Sequence, residues 1–195
     1  MPNRAFIIHG YLSHPKEAWL PWLKDQLKAN GFVVALPAMP HPDHPVIQDW
    51  IDFITNLVGE PDESTVLIGH SIGCQAVLRY LETLGASGKS VAKTVLVAGI
   101  FPTGLSPAET ESETGGDPVL VPWFTQGIDP VKVKRAAGQC TVILSDDDPY
   151  IAVDKATAVF RATLDPRIIV EHGKGHFNED NNLSELPVAL NAVLS

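Results

Sequence analysis

Short runs of unbroken apolar residues, separated by stretches with a three-to-four-residue rhythm, make up most of this chain. Six runs, Arg4–His9, Phe32–Leu36, Thr65–Gly69, Thr94–Ala98, Cys140–Leu144 and Arg167–Val170, are apolar at nearly every position and rich in Val and Ile. A strand with one wet face alternates, whereas a continuous apolar run suits a strand covered on both faces, as in a parallel sheet. Between the runs the spacing turns helical. From Pro45, whose fixed φ suits a first turn, Val46, Ile47, Trp50, Ile51, Ile54, Leu57 and Val58 share one face, and Gly59 stops the helix. Pro21–Asn30 repeats the pattern with Trp22, Leu23 and Leu27 inward and Gly31 at its end. Ser184 is placed to begin a last helix carrying Leu186, Ala189, Leu190, Val193 and Leu194, and Asp154–Leu164 reads as a further helix. Strands and helices alternating in this way predict an α/β fold with one doubly wound sheet, in a single domain over 1–195.

One stretch breaks the rhythm. Ser106–Asp117 is polar and acidic and shows no periodicity, so it reads as a mobile loop, either a lid over a site or a solvated insertion.

Composition narrows the class. At 195 residues, 45% hydrophobic and 19% charged, the chain can bury a sizeable core without disulfides. No apolar run approaches the roughly 18 residues of a membrane span, and Met1–Ala5 passes straight into the first strand without the apolar region of a secretory signal. Two cysteines, Cys74 and Cys140, make no stapling framework, so reduced thiols and a cytoplasmic location are expected. With 14 Lys and Arg against 23 Asp and Glu the net charge is −9, which repels nucleic acid. The partner expected is a small-molecule substrate, with no nucleic acid or membrane; the sequence names no protein partner.

The most informative segment is Gly69-His70-Ser71-Ile72-Gly73, which follows an apolar strand and opens a helix carrying Ala76, Val77, Tyr80 and Leu81. Gly-x-Ser-x-Gly between a strand and a helix is the pattern of a nucleophile elbow. The serine sits in a strained turn, and the flanking glycines pass close to neighbouring backbone where a Cβ would clash. Ser71 is therefore the candidate nucleophile, and Cys74, one turn into the helix, reads as core. The first strand ends in His9-Gly10-Tyr11-Leu12, at the point where the strand order of such sheets reverses. Gly10 lets the backbone turn inward, so the amide of Tyr11, or of Leu12, can join that of Ile72 in an oxyanion hole.

A serine of this kind needs a base and an orienting acid, which in this fold follow in the order Ser, Asp or Glu, His. Leu144 is followed by Ser145-Asp146-Asp147-Asp148-Pro149, and Val170 by Glu171-His172-Gly173-Lys174-Gly175-His176. Both segments leave strands at the edge that carries Ser71. Chemistry alone does not choose among three aspartates or between His172 and His176, though His176 stands further from its strand and nearer the cleft.

Ile7-Ile8-His9-Gly10-Tyr11, Trp19, Trp22, Met39-Pro40, Gly69-His70-Ser71-Ile72-Gly73, Asp147-Asp148-Pro149 and Gly175-His176-Phe177 span nearly the whole chain. On these segments the sequence resembles the family of small serine hydrolases that includes the mammalian retinoblastoma-binding hydrolase and the bacterial YdeN-type proteins. The resemblance implies Asp148 and His176 as partners of Ser71. It also implies a three-layer α/β-hydrolase fold with a six-stranded parallel sheet and no large cap domain. The mammalian member's Leu-x-Cys-x-Glu stretch has no counterpart in Leu57-Val-Gly-Glu-Pro-Asp-Glu63, so that protein partner is not implied here.

His41-Pro-Asp-His44 and the pair His172 and His176 invite a zinc site, but the first sits among prolines without helical spacing, the second straddles Gly173 and Gly175, neither shows a third ligand, and no metal or cofactor is expected. Trp123 and Phe124 are the aromatics assigned to a substrate pocket, with other aromatics left to the core. The function expected is hydrolysis of a small ester, thioester or amide through an acyl-enzyme. The alternative is an interaction protein that keeps the hydrolase fold.

Overall fold

A computed structural model describes residues 2–195. Its six strands are β1 Arg4–Ile8, β2 Val33–Ala35, β3 Thr65–His70, β4 Lys93–Val97, β5 Gln139–Ser145 and β6 Arg167–Glu171. They form one all-parallel sheet in the order β2-β1-β3-β4-β5-β6. The chain leaves β1 for β2 on one side and returns to β3 on the other, so the order reverses between β1 and β3. Loops leaving the carboxyl ends of these two strands border a crevice there.

Helices cover both faces, and β3 shows why its apolar run is unbroken. Leu67 joins the layer with α2 (Ile47–Val58), α3 (Ile72–Ala86) and α7 (Val153–Thr163), while Val66 and Ile68 join the opposite layer with α1 (Leu20–Ala29) and α8 (Pro187–Leu194). All six β3 residues are buried, whereas the edge strands β2 and β6 are partly exposed. The α/β architecture expected from the alternating pattern is the one observed. Among the described residues no helix is long and apolar enough to cross a membrane.

Three local expectations are corrected. Ser106–Asp117 is not a loop: Pro107–Thr114 forms α4, with a reciprocal capping box between Ser106 and Glu109, a proline in the first turn and Gly115 left-handed at the end. Caps rather than an apolar stripe hold this helix, so hydrophobic periodicity could not find it. Pro45 lies outside α2, which starts at Ile47 with Val46 extended at its cap. The last helix starts at Pro187, not Ser184, because a proline is suited to the first helical turn. Two further short helices, α5 (Val121–Thr125) and α6 (Pro130–Ala136), each carry a proline in the first turn. They are too brief to show a period.

Candidate active site

Ser71 sits between β3 and α3 with φ 54° and ψ −126°, a conformation an L side chain rarely adopts. Neighbouring strands hold it there. The Ser71 amide donates to the Val97 carbonyl at the end of β4, at 3.0 Å, and the Ser71 carbonyl accepts from Cys74 N–H at 2.9 Å. A Cβ on Gly73 would lie 2.3 Å from the Ile8 carbonyl oxygen, so only glycine lets α3 start this close to β1. Gly10 is equally constrained, since a Cβ there would stand 2.9 Å from Ser71 Cβ.

His176 and Asp148 arrive from the loops after β6 and β5. Ser71 Oγ lies 2.9 Å from His176 Nε2, and His176 Nδ1 lies 2.9 Å from Asp148 Oδ2 and 3.1 Å from Oδ1. The Asp148 side chain is only 2% exposed and that of His176 11%. Asp148 Oδ1 also accepts the backbone N–H groups of Tyr150 and Ile151 at 2.9 and 3.1 Å, which pins the carboxylate to its own turn.

The three consecutive aspartates divide the work. Asp147 Oδ1 accepts from Ser145 Oγ at 2.6 Å and from Gly175 N–H at 2.7 Å; these two donors hold its carboxyl below the usual range. Asp146 pairs with His172 Nδ1 and accepts Gly173 N–H at 3.0 Å. His172 is 95% exposed at its side chain, and the Asp146 carboxylate raises its pKa. Asp146 and Asp147 thus tie the His172–Gly175 loop to the end of β5, and only Asp148 reaches His176.

Two buried rings brace the same loop from the other side. His70 Nε2 lies 2.9 Å from the His176 carbonyl, and Trp19 Nε1 donates to the Phe177 carbonyl at 2.9 Å, with the two rings edge to face. Burial, followed by the neighbouring His176, pushes the His70 pKa down to about 3, so the ring is neutral and its Nε2–H is the donor. Sequence reasoning missed this role. His70 fills the variable position of the elbow pattern, and nothing in the pattern tells which group it will meet.

A cleft of about 890 Å³ opens over Ser71 and His176 and is lined by Gly10, Tyr11, Ile72 and Phe124 among others. The Leu12 amide is committed to the Pro42 carbonyl at 2.8 Å, while among the described residues the Tyr11 amide makes no backbone hydrogen bond. The Tyr11 phenol donates to Asp117 Oδ2 at 3.0 Å, tethering the segment after α4, and residues 112–115 form part of the cleft wall. Trp123 does not line the cleft. It is fully buried, packs edge to face on Trp50 at 5.5 Å, and donates its indole N–H to the Pro45 carbonyl at 2.9 Å. Successive helical residues point about 100° apart, so Phe124 faces the cleft while Trp123 joins the core. Cys74 is buried, its thiol directed at the Val97 carbonyl and its pKa pushed up by burial. Among the described residues no group of three His, Cys, Asp or Glu side chains is gathered as metal ligands.

Residues 5–195 match the family profile described as Serine hydrolase. The chain belongs to the serine hydrolase family. This serine hydrolase is 34% identical to the hydrolase YdeN of Bacillus subtilis over 200 aligned residues, covering all of this chain and 96% of YdeN. The crystal structure of the ydeN product superposes with a TM-score of 0.81 over 98% of this chain and 97% of that one, at 30% identity. Serine hydrolase RBBP9 of Rattus norvegicus is 25% identical over 197 residues, covering all of this chain and 97% of RBBP9. Carboxylesterase CesB of Bacillus subtilis shares the fold, with a TM-score of 0.66 over 99% of this chain and 82% of its own, at 12% identity.

Proposed function

We propose that this serine hydrolase is an esterase acting on a small ester, thioester or amide through an acyl-enzyme at Ser71. The observation that carries the reading is the hydrogen-bonded line from Asp148 through His176 to Ser71. His176 Nδ1–H donates to Asp148, which leaves Nε2 as the acceptor facing the serine hydroxyl. His176 takes the hydroxyl proton as Ser71 attacks the carbonyl, then returns it to the leaving group; a water repeats the sequence to release the acid. The developing oxyanion is received by the amides of Tyr11 and Ile72. Each such donor is worth about 3 kcal/mol, and the Leu12 amide, already engaged, is not among them.

This chemistry runs on the protein's own side chains and backbone amides and calls for no cofactor. A small-molecule substrate fits the cleft, and the negative balance of the chain disfavours nucleic acid. Two free thiols with no disulfide between them are in keeping with a cytoplasmic location. Ser71→Ala or His176→Ala lowers kcat on an activated short-chain ester about 10⁶-fold, and the double variant loses little more, because the groups act as a unit. Fluorophosphonate labelling that persists in Ser71→Ala overturns the assignment.

A further inference from the structure

Gln75 stands on α3 four residues after Ser71, one helical turn or about 6 Å along the axis. It is 1% exposed, yet neither its carboxamide oxygen nor its nitrogen meets a hydrogen-bond partner among the described residues. Buried carboxamides are nearly always paired, because a lost partner leaves a desolvated dipole. Gln75 also lines the cleft over Ser71, beside Ile100 and Phe124. A second cavity, of about 20 Å³, lies behind the same three residues and has room for no more than a water. Gln75 thus stands between the cleft and that small cavity, with both carboxamide atoms shielded from solvent and no protein group among the described residues to meet them on either side.

We propose that Gln75 is a specificity-determining residue, and that the substrate's acyl group carries an uncharged hydrogen-bonding head, a carboxamide or a hydroxyl, that pairs with it. The inference rests on the acyl-enzyme reading. An acyl carbon bonded to Ser71, with its oxygen at the Ile72 amide, starts at the first turn of α3. A chain a few atoms long then runs along that helix to Gln75. The carboxamide offers both donors and an acceptor, which suits a head group that can do both. A carboxylate head is disfavoured by the rest of the lining. Glu17, Glu113, Asp148, Glu179 and Asp180 border the cleft, and no Lys or Arg does so among the described residues. Lys155, at the small cavity, is paired with Glu113.

Activated esters test this, with acyl chains ending in a primary carboxamide, in the isosteric isopropyl group, or in a carboxylate, over a series of lengths. In the wild-type enzyme kcat/KM at the best length favours the carboxamide over its isostere by about tenfold or more, with the carboxylate slowest. Gln75→Met erases or reverses the preference between carboxamide and isostere. An isostere hydrolysed as fast as the carboxamide by the wild type overturns the proposal without any variant. A preference that survives Gln75→Met intact also overturns it and assigns the carboxamide to a water in the cavity behind. Fluorophosphonate labelling of the same samples separates the two layers. Wild-type labelling lost in Ser71→Ala keeps the acyl-enzyme reading even where the Gln75 preference fails, while unlabelled wild type removes both.

Discussion

The two halves of the site are built by different forces. The Ser71 turn is held by steric closeness: Gly73 against the Ile8 carbonyl, Gly10 against Ser71, and a serine backbone in a conformation that its neighbours enforce. The His176 side is held by hydrogen bonds across long sequence distances, from Asp146, Asp147 and Asp148 on one flank and His70 and Trp19 on the other. Steric closeness tolerates no side chain at all, so it restricts the residue type and shows in the sequence. Hydrogen bonds only require a donor and an acceptor to meet, and three adjacent aspartates satisfy that equally until the fold separates them.

That contrast sets an order of expected effects. Asp148→Asn, which keeps shape but disturbs the His176 tautomer, lowers kcat about 10⁴-fold with little change in the thermal midpoint. A loss similar to that from Asp147→Asn would remove the distinction between the two residues. Gly73→Ala forces a methyl into the Ile8 carbonyl and costs about 3 kcal/mol of stability by urea denaturation; an unaltered midpoint would show that the elbow yields where it is read as rigid.

Acid separates the halves next. His70 is buried neutral with its pKa near 3, whereas the unfolded chain binds that proton near 6.5. The unfolded state therefore holds more protons between these values, so stability is full above pH 6.5 and falls as pH drops through the window. The loss between pH 6.5 and 5 is about 2 kcal/mol. His9, also lowered by burial, acts in the same direction, and His172, raised by Asp146, acts in the opposite one. Urea midpoints measured against pH show a shallower acid limb in His70→Gln than in wild type; identical limbs would mean that His70 is not the group responsible. The smallest effect belongs to the outer flank. Asp147→Ala loosens the Gly175 amide and lowers kcat about tenfold, while His172→Ala, at an exposed side chain, changes it less than twofold.

Much of the frame was legible without coordinates. Unbroken apolar runs announced strands covered on both faces, and β3, with Leu67 turned one way and Val66 and Ile68 the other, is the direct expression of that pattern. Gly69-x-Ser71-x-Gly73 between a strand and a helix marked the turn. Resemblance, rather than chemistry, selected Asp148 and His176 from their neighbours. Helix α4 escaped notice because its signal is a capping box and not a period, and Trp123 was assigned to the wrong side because adjacent aromatics look alike until a helix turns them apart.

By itself, then, the sequence determined what depends on neighbours in the chain: which segments extend, which coil, and where a serine must sit in a strained turn. Tertiary structure alone decided which carboxylate meets which imidazole, what His70 braces, and that the Gln75 carboxamide is buried near the nucleophile without a partner among the described residues. Local steric and hydrophobic preferences are written residue by residue. A hydrogen bond between groups a hundred residues apart exists only once the strands that carry them are packed side by side.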